Sequence, residues 1–287
     1  MTLLARAKVN LSLQVRARDA AGMHPLRSFV QSVDWSDEVG LADAEEDGIT
    51  VDGDPEVPAD EENLAWRAVE AVRGAAATAA PVALSLVKRI PAAAGLGGGS
   101  ADAAAALVLA ARRFGLGDER RDALAPGLGA DVPFCLRGGT AWMEGHGEVL
   151  TPVPTAADYS LAVVVPPFRL ATGAVYRRWD ELGGPGGPGI SGRALPASLR
   201  ELAPLVNDLY PAAVDLEPDL GDWAADLARR WGVPAAMSGS GPALFGFFAT
   251  PDEADEAARI AAAGAGAARG CVPVAAGWLD APAGTLP

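Results

Sequence analysis

Residues 91–107 read PAAAGLGGGSADAAAAL, with Gly95, Gly97, Gly98 and Gly99 ahead of Ser100 and then a run of strong helix formers. Glycines packed this densely allow positive φ and let backbone approach a ligand without Cβ clashes. A loop of this kind leading into a helix brings unpaired N–H groups and the positive end of the helix dipole to one place, which favours an anion such as a polyphosphate. The same residues also suit a flexible loop in which Ser100 is an ordinary N-cap for a helix over 101–114. Residue types alone leave both readings open. Two familiar phosphate signatures are absent here: there is no G-x-x-x-x-G-K-[ST], and Ser100 stands where G-x-G-x-x-G needs its third glycine. The formal G-x-G-x-x-G at 184–189, GPGGPG, carries two prolines and opens no helix, so it reads as a loop.

Few other side chains with distinctive chemistry are present. Among 23 Lys and Arg only Lys8 and Lys88 are lysines. An ammonium and a guanidinium fork are not interchangeable, which singles out these two positions. Lys88 lies three residues before Pro91, at the mouth of the glycine run, and Lys8 lies in AKVNL. The two histidines are His24 and His146. Cys135 and Cys271 form no C-x-x-C pair, which suits a reducing cytoplasm.

Hydrophobic periodicity supplies the elements that must position these groups. Residues 5–16 alternate as a strand, with Val9, Leu11, Leu13 and Val15 against Lys8, Asn10, Ser12 and Gln14, so Lys8 and Asn10 share the polar face. A second strand is expected over 29–41, an acidic loop or hairpin over 42–63, a helix over 64–76 and a strand over 82–90. The glycine run and its helix to Phe114 come next, then a loop entering a short helix over 127–136 with Pro133 in its first turn. The Pro- and Thr-rich stretch 151–157 is the candidate boundary between a domain over 1–154 and a domain over 155–287. In the second half, strands are expected over 160–165 and 271–278 and helices over 172–182, 199–209, 219–231 and 253–268. A small-residue turn, MSGSGP, precedes another strand ending at 249.

A chain of 287 residues, half of them hydrophobic and 21% charged, is long enough for one large or two modest cores. A net charge of −14 disfavours binding to nucleic acid and requires a local exception wherever an anionic substrate is held. The amino-terminal residues lack the apolar core of a signal peptide, and no apolar run is long enough to span a membrane. The expected setting is therefore cytoplasmic. The oligomeric state stays open, a homodimer included.

Taken together, AKVNLSL (7–13), G-x-H (22–24), the glycine run, GADVPF (129–134), EGHGE (144–148), NDL (207–209) and MSGSGPALF (237–245) resemble the GHMP kinases over most of the chain. The resemblance implies an α+β, two-domain fold, with an amino-terminal domain like the second domain of ribosomal protein S5 and a ferredoxin-like carboxy-terminal domain. It implies ATP- and Mg²⁺-dependent phosphorylation of a small-molecule alcohol, here a cytidyl-diphosphate sugar alcohol of isoprenoid biosynthesis. Asp131 is then the catalytic base, where the residues alone suggest a helix-capping Asp. Lys8 stands beside it to stabilise the transferred phosphoryl group, where the residues alone fit an exposed strand lysine about as well. Asn10 orients substrate or Lys8.

The ATP phosphates would lie on Pro91, Ala92, Ala93, Ala94, Gly95, Leu96, Gly97, Gly98, Gly99, Ser100 and Ala101, with Ser100 near Mg²⁺. Asp102 either assists or simply answers the helix dipole. Lys88 and Asn63 would line the adenine and ribose side, Asn63 doubling as a candidate N-cap. Gly239, Ser240 and Gly241 match the family's third glycine motif. His24, His146 and Tyr176 would hold the cytidine. Met23 departs from the family, which has an aromatic residue there to stack on the base, and Tyr210 stands where a Glu is usual. Two rival functions are a sister kinase acting on another small alcohol, which Met23 favours, and a non-catalytic homologue that senses a ligand, which the presence of both Lys8 and Asp131 disfavours. A dinucleotide-dependent oxidoreductase lacks the required order of strand, glycines and acidic residue.

Overall fold

A computed structural model describes residues 1–282. The first half runs β1 (Thr2–Val15), β2 (Leu26–Asp43), β3 (Gly48–Asp52), α1 (Leu64–Ala76), β4 (Val82–Val87), α2 (Gly98–Phe114), α3 (Asp118–Asp122), α4 (Ala125–Leu128), α5 (Val132–Arg137), β5 (Thr140–Gly145) and β6 (Val149–Val153). The second runs β7 (Ser160–Val165), α6 (Thr172–Glu181), β8 (Gly189–Ile190), β9 (Leu205–Val206), α7 (Tyr210–Leu216), α8 (Asp219–Trp231), β10 (Ala236–Met237), β11 (Leu244–Phe248), α9 (Pro251–Ala261), β12 (Ala267–Cys271) and β13 (Trp278–Asp280).

The long strand β2 organises the first sheet. It pairs with β1 along one edge, and on the other its halves divide: Glu38–Asp43 pair with β4, and Leu26–Gln31 pair with β5. β3 extends the sheet parallel to β4, so the acidic stretch 42–63 holds a strand as well as a loop. β13 returns from the far end of the chain to pair with β1, so the last strand completes the first sheet. The second sheet has the order β12–β7–β11–β10, all antiparallel. With helices between β7 and β10 and between β11 and β12, this is the split βαβ arrangement of a ferredoxin-like unit.

The small side chains of α2 explain its position. Ala101 and Ala103 to Ala106 are almost fully buried, and the first sheet and α1 close around them to form one core with Leu107, Val108, Leu109, Val69 and Leu84. A second core lies on the opposite side of β1, where Ala7, Val9 and Leu11 meet Leu161, Val163, Phe245 and Phe247 of the second sheet. A buried Val, Leu or Phe side chain is worth roughly 1.5–3 kcal/mol, so both cores press on the strand that carries Lys8 and Asn10. Both faces of β1 are covered, and Lys8 is 4% and Asn10 3% exposed, so the alternative of a solvent-exposed strand lysine does not hold.

Several expected boundaries move for local reasons. α2 begins at Gly98 with Gly97 as N-cap, so Ser100 is inside the helix and is not its cap. The helix expected over 199–209 is a short 3-10 turn, Ala197–Leu202, followed by β9, because Pro204 cannot continue a helix. α9 starts earlier than expected, at a capping box between Thr250 and Glu253, and ends at Ala261 ahead of Gly264, which has a φ of 83°. The strand expected over 271–278 divides between β12 and β13 around Pro273. Among the described residues no helix is long and apolar enough to cross a membrane.

Candidate active site

A cleft of about 1100 Å³ opens beside β1, the start of α2 and the start of α6. Lys8 Nζ lies 3.2 Å from Asp131 Oδ2, 2.5 Å from Asn10 Oδ1 and 3.3 Å from the Gly95 carbonyl. The pairing of β1 with β2 shifts register between Arg6 and Lys8 and again between Asn10 and Ser12. Irregularities of this kind re-aim side chains, and here they bracket Lys8, which meets Asp131 and the glycine loop, and Asn10, which meets Lys8. Asn10 is fixed from both sides: its Nδ2 donates to Ser28 Oγ at 2.7 Å, and its backbone N–H donates to Ser238 Oγ at 3.1 Å. Asp131 occupies the residue before α5, yet its side chain caps nothing. The capping role that the residues alone suggested is therefore replaced by the contact with Lys8.

The glycine loop is held by the turn at 238–241 from the second half of the chain. Ser238 Oγ donates to the Gly95 carbonyl at 2.9 Å, and Ala243 N–H donates to the Ala94 carbonyl at 3.1 Å. Gly95 has a φ of 77°, and a Cβ there would stand 2.3 Å from the Ser238 carbonyl oxygen. At Gly97, with a φ of 71°, a Cβ would stand 2.8 Å from Lys8 Cγ. Both positions require glycine for conformation and for space. Ala93 also takes a positive φ, 53°, which residue type alone did not reveal. The N–H groups of Gly98, Gly99 and Ser100 have no partner among the described residues, as expected of a helix's first turn. They leave three donors at the positive end of the dipole. Pro91 to Gly95 and Gly97 to Ser100 line the cleft, as do Asn63, Gly239 and Ser240. Leu96, Ala101 and Gly241 do not line it; they support the wall from behind, Leu96 by accepting the Lys8 N–H at 2.9 Å.

Lys88 lines the cleft, but its ammonium is engaged below the loop. It forms ion pairs with Asp37 and Asp102, and Asp37 also accepts the Ile90 N–H at 2.8 Å. Burial opposes the charge on Lys88, but the two carboxylates more than offset this and raise its pKa above the usual value. Burial pushes Asp102 up to about 7, against the pull of Lys88 and with Asp37 adding to the rise. Asp102 lies beyond the first turn of α2 and Lys88 accounts for its position, so neither the helix dipole nor assistance to a metal is needed to explain it. Asn63 caps α1, accepting the Ala65 N–H at 2.9 Å, and faces the cleft as well.

At the far end of the cleft, the β1–β2 connection meets α6. The His24 ring lies 5.2 Å from that of Tyr176, centre to centre, and edge-on to Trp179 at 5.5 Å. His24 Nε2 lies 3.3 Å from Asp180 Oδ2, to which Arg18 Nε also donates at 2.8 Å. His146 Nε2 lies 2.8 Å from Asp19 Oδ2. Burial, with the charge of Asp131 adding, pushes the Tyr176 hydroxyl up to about 12, so it remains a hydrogen-bond donor near neutral pH. Met23 lines the cleft and is half exposed.

The structure thus brings Lys8, Asn10, Asp131, His24, His146 and Tyr176 to one cleft with the glycine loop. It adds Arg18, Arg169, Thr172 and Arg177, which sequence reasoning did not single out. Thr172 and Arg177 flank Tyr176 in TGAVYRRW, and that proximity was the available signal. Thr172 Oγ1 lies 2.9 Å from Ser240 Oγ and ties α6 to the third glycine motif.

The GHMP kinases N terminal domain matches residues 63–139, and the GHMP kinases C terminal domain matches residues 194–266. The chain is 37% identical over 266 residues to a 4-diphosphocytidyl-2-C-methyl-D-erythritol kinase of Geobacter metallireducens, covering 90% of this chain and 93% of that one. It is 41% identical over 261 residues to the enzyme of that name from Cutibacterium acnes, covering 84% of each. A crystal structure of 4-(cytidine 5'-diphospho)-2C-methyl-D-erythritol kinase superposes with a TM-score of 0.78 at 35% identity, covering 95% of this chain and 99% of that one. A homoserine kinase from Cytophaga hutchinsonii, at 20% identity and a TM-score of 0.71 over 97% and 96% of the two chains, shares the fold.

Proposed function

The chain belongs to the GHMP kinase family, and on that premise we propose that it transfers the γ-phosphoryl group of ATP to the 2-hydroxyl of 4-diphosphocytidyl-2-C-methyl-D-erythritol, in the non-mevalonate route to isoprenoids. The observation that carries this reading is the 3.2 Å contact between Lys8 and Asp131, in the same cleft as the glycine loop. Asp131 takes the proton of the 2-hydroxyl as its oxygen attacks the γ-phosphorus. The bond from that phosphorus to the bridging oxygen breaks, and ADP leaves with the electron pair. A positioned base of this kind contributes about 10²–10⁴ in rate. Lys8 sets a fixed positive charge beside the transferring group, where preorganised electrostatics act without reorganisation. The free N–H groups of Gly98, Gly99 and Ser100 receive ATP phosphates.

Mg²⁺ fits this set, because the Ser100 hydroxyl at the start of the helix is an oxygen donor of the kind that the ion takes. Among the described residues no group of three or more acidic, histidine or cysteine side chains forms a cage, and the Ser100 hydroxyl faces the cleft without a partner. Ser100 would be the residue to hold it, and the ion would supply charge neutralisation on the phosphates. Tyr176 and His24 support a cytosine at the other end of the cleft.

Met23 favours a second reading, in which the acceptor is a different small alcohol. Supplying ATP and Mg²⁺ with the cytidyl substrate, homoserine or mevalonate, and measuring ADP release, separates the two. Turnover is expected on the cytidyl substrate. Robust turnover on either of the others with none on the cytidyl substrate would overturn the assignment.

A further inference from the structure

Lys8, Arg18, Lys88, Arg169 and Arg177 are the lysine and arginine side chains that line the cleft. Four of them already face carboxylates: Lys8 meets Asp131, Arg18 meets Asp180, Lys88 meets Asp37 and Asp102, and Arg169 meets Glu56 at 2.5 Å. Arg177 has no ion pair or hydrogen bond among the described residues and is exposed. In a chain of net charge −14, an arginine left unpaired at the edge of the main cleft is the local exception that an anionic ligand needs.

Its position on α6 indicates which part of the ligand it meets. Thr172, at the start of the helix, touches Ser240 of the third glycine motif. Tyr176, one turn on, faces His24 at the opposite end. The Arg177 guanidinium folds back toward the helix start, with Nη1 3.5 Å from where a Cβ on Gly173 would stand, and both residues line the cleft. We propose that Arg177 binds the diphosphate bridge of the nucleoside-diphosphate acceptor, a group whose planar-fork recognition suits a guanidinium. The assignment rests on the kinase reading above. It adds an anchor at the middle of the acceptor, which matters because Met23 offers no flat ring for the base.

Binding of CDP and of cytidine, measured by calorimetry with a non-hydrolysable ATP analogue saturating the glycine loop, tests it alongside steady-state kinetics. Arg177→Ala is expected to weaken CDP at least tenfold, to leave cytidine within twofold, and to raise KM for the cytidyl acceptor at least tenfold with KM for ATP within twofold. Arg177→Lys should recover part of the CDP affinity. Equal losses for CDP and cytidine, no loss for either, or a rise confined to the ATP KM would overturn the assignment. Wild-type protein that fails to phosphorylate the cytidyl acceptor defeats the kinase reading. Wild-type protein that does phosphorylate it, while Arg177→Ala keeps full CDP affinity, defeats the Arg177 assignment alone.

Discussion

Lys8 Nζ and Asp131 Oδ2 lie 3.2 Å apart, although the lysine is buried on a central strand and the aspartate stands at the mouth of the cleft, with its side chain 29% exposed. Their separate supports make the contact informative. Lys8 is held by Asn10 and the Gly95 carbonyl, so it does not depend on Asp131 for its position. Asp131 is free of the capping bond that its place before α5 would allow. Asp131 thus has no capping bond and contacts an ammonium fixed by other groups, and this is the arrangement that the proposed proton transfer uses.

Asp131→Asn keeps shape and hydrogen bonding while removing the base. Its kcat should fall by about 10²–10⁴, with ATP affinity within about twofold of wild type and an unchanged melting temperature. Single-turnover ADP release and equilibrium ATP titration measure the two effects separately. Turnover near the wild-type rate would remove Asp131 from the reaction.

The two glycines at 97 and 99 should behave differently despite their proximity. Gly97→Ala forces a side chain into the left-handed region and against Lys8 Cγ, at a cost of about 1–3 kcal/mol. It should lower both the melting temperature and kcat. Gly99 is already helical and a Cβ there meets nothing within 4 Å, so Gly99→Ala should stabilise the free protein by up to about 1 kcal/mol. Thermal melts of the two variants, compared with wild type, check the ordering, and equal destabilisation by both would contradict it.

Much of this site is readable from residue types and order, because its parts are local. The glycine run declares its own backbone requirements, and α8 and β7 fall where periodicity places them. Long-range contacts are what periodicity cannot supply. The alternation in β1 marks Lys8 and Asn10 as a polar face but does not show that α2 and the turn at 238–241 will bury it. Asp37 is one of several acidic residues along β2, and only the meeting of β2 with β4 and α2 distinguishes it as the partner of Lys88. Nothing local could join β13 to β1.

The buried trio of Lys88, Asp37 and Asp102 predicts a pH dependence of stability. Asp102 titrates near its ordinary value of 3.8 when unfolded and at about 7 when folded. Between those values the folded protein keeps a proton that the unfolded chain has released, so this group's contribution to stability falls as pH rises from about 4 to about 7. Lys88, held above its usual pKa, stays charged throughout that window. Asp102→Asn removes the titration. The melting temperature of wild type minus that of the variant should therefore decline steadily across the window, and a difference independent of pH would show that Asp102 is ionised in the folded protein throughout.

Met23 bears most directly on the acceptor. It lines the cleft beside His24, half exposed, at a position where a flat ring could lie over a base. Tyr176 faces His24 from α6 and is the aromatic ring available there. Stacking of a nucleobase on an aromatic side chain is worth about 1–3 kcal/mol, and a thioether recovers only part of that through sulfur–aromatic contact. Met23→Tyr should therefore lower KM for the cytidyl acceptor by about three- to tenfold, with kcat and the ATP KM little changed because its proposed partner is the base and not the reacting hydroxyl. Tyr176→Ala should raise the acceptor KM more steeply in wild type than in the Met23→Tyr background, since one ring then substitutes for the other. Equal effects of Tyr176→Ala in both backgrounds would mean that the two positions do not share the base.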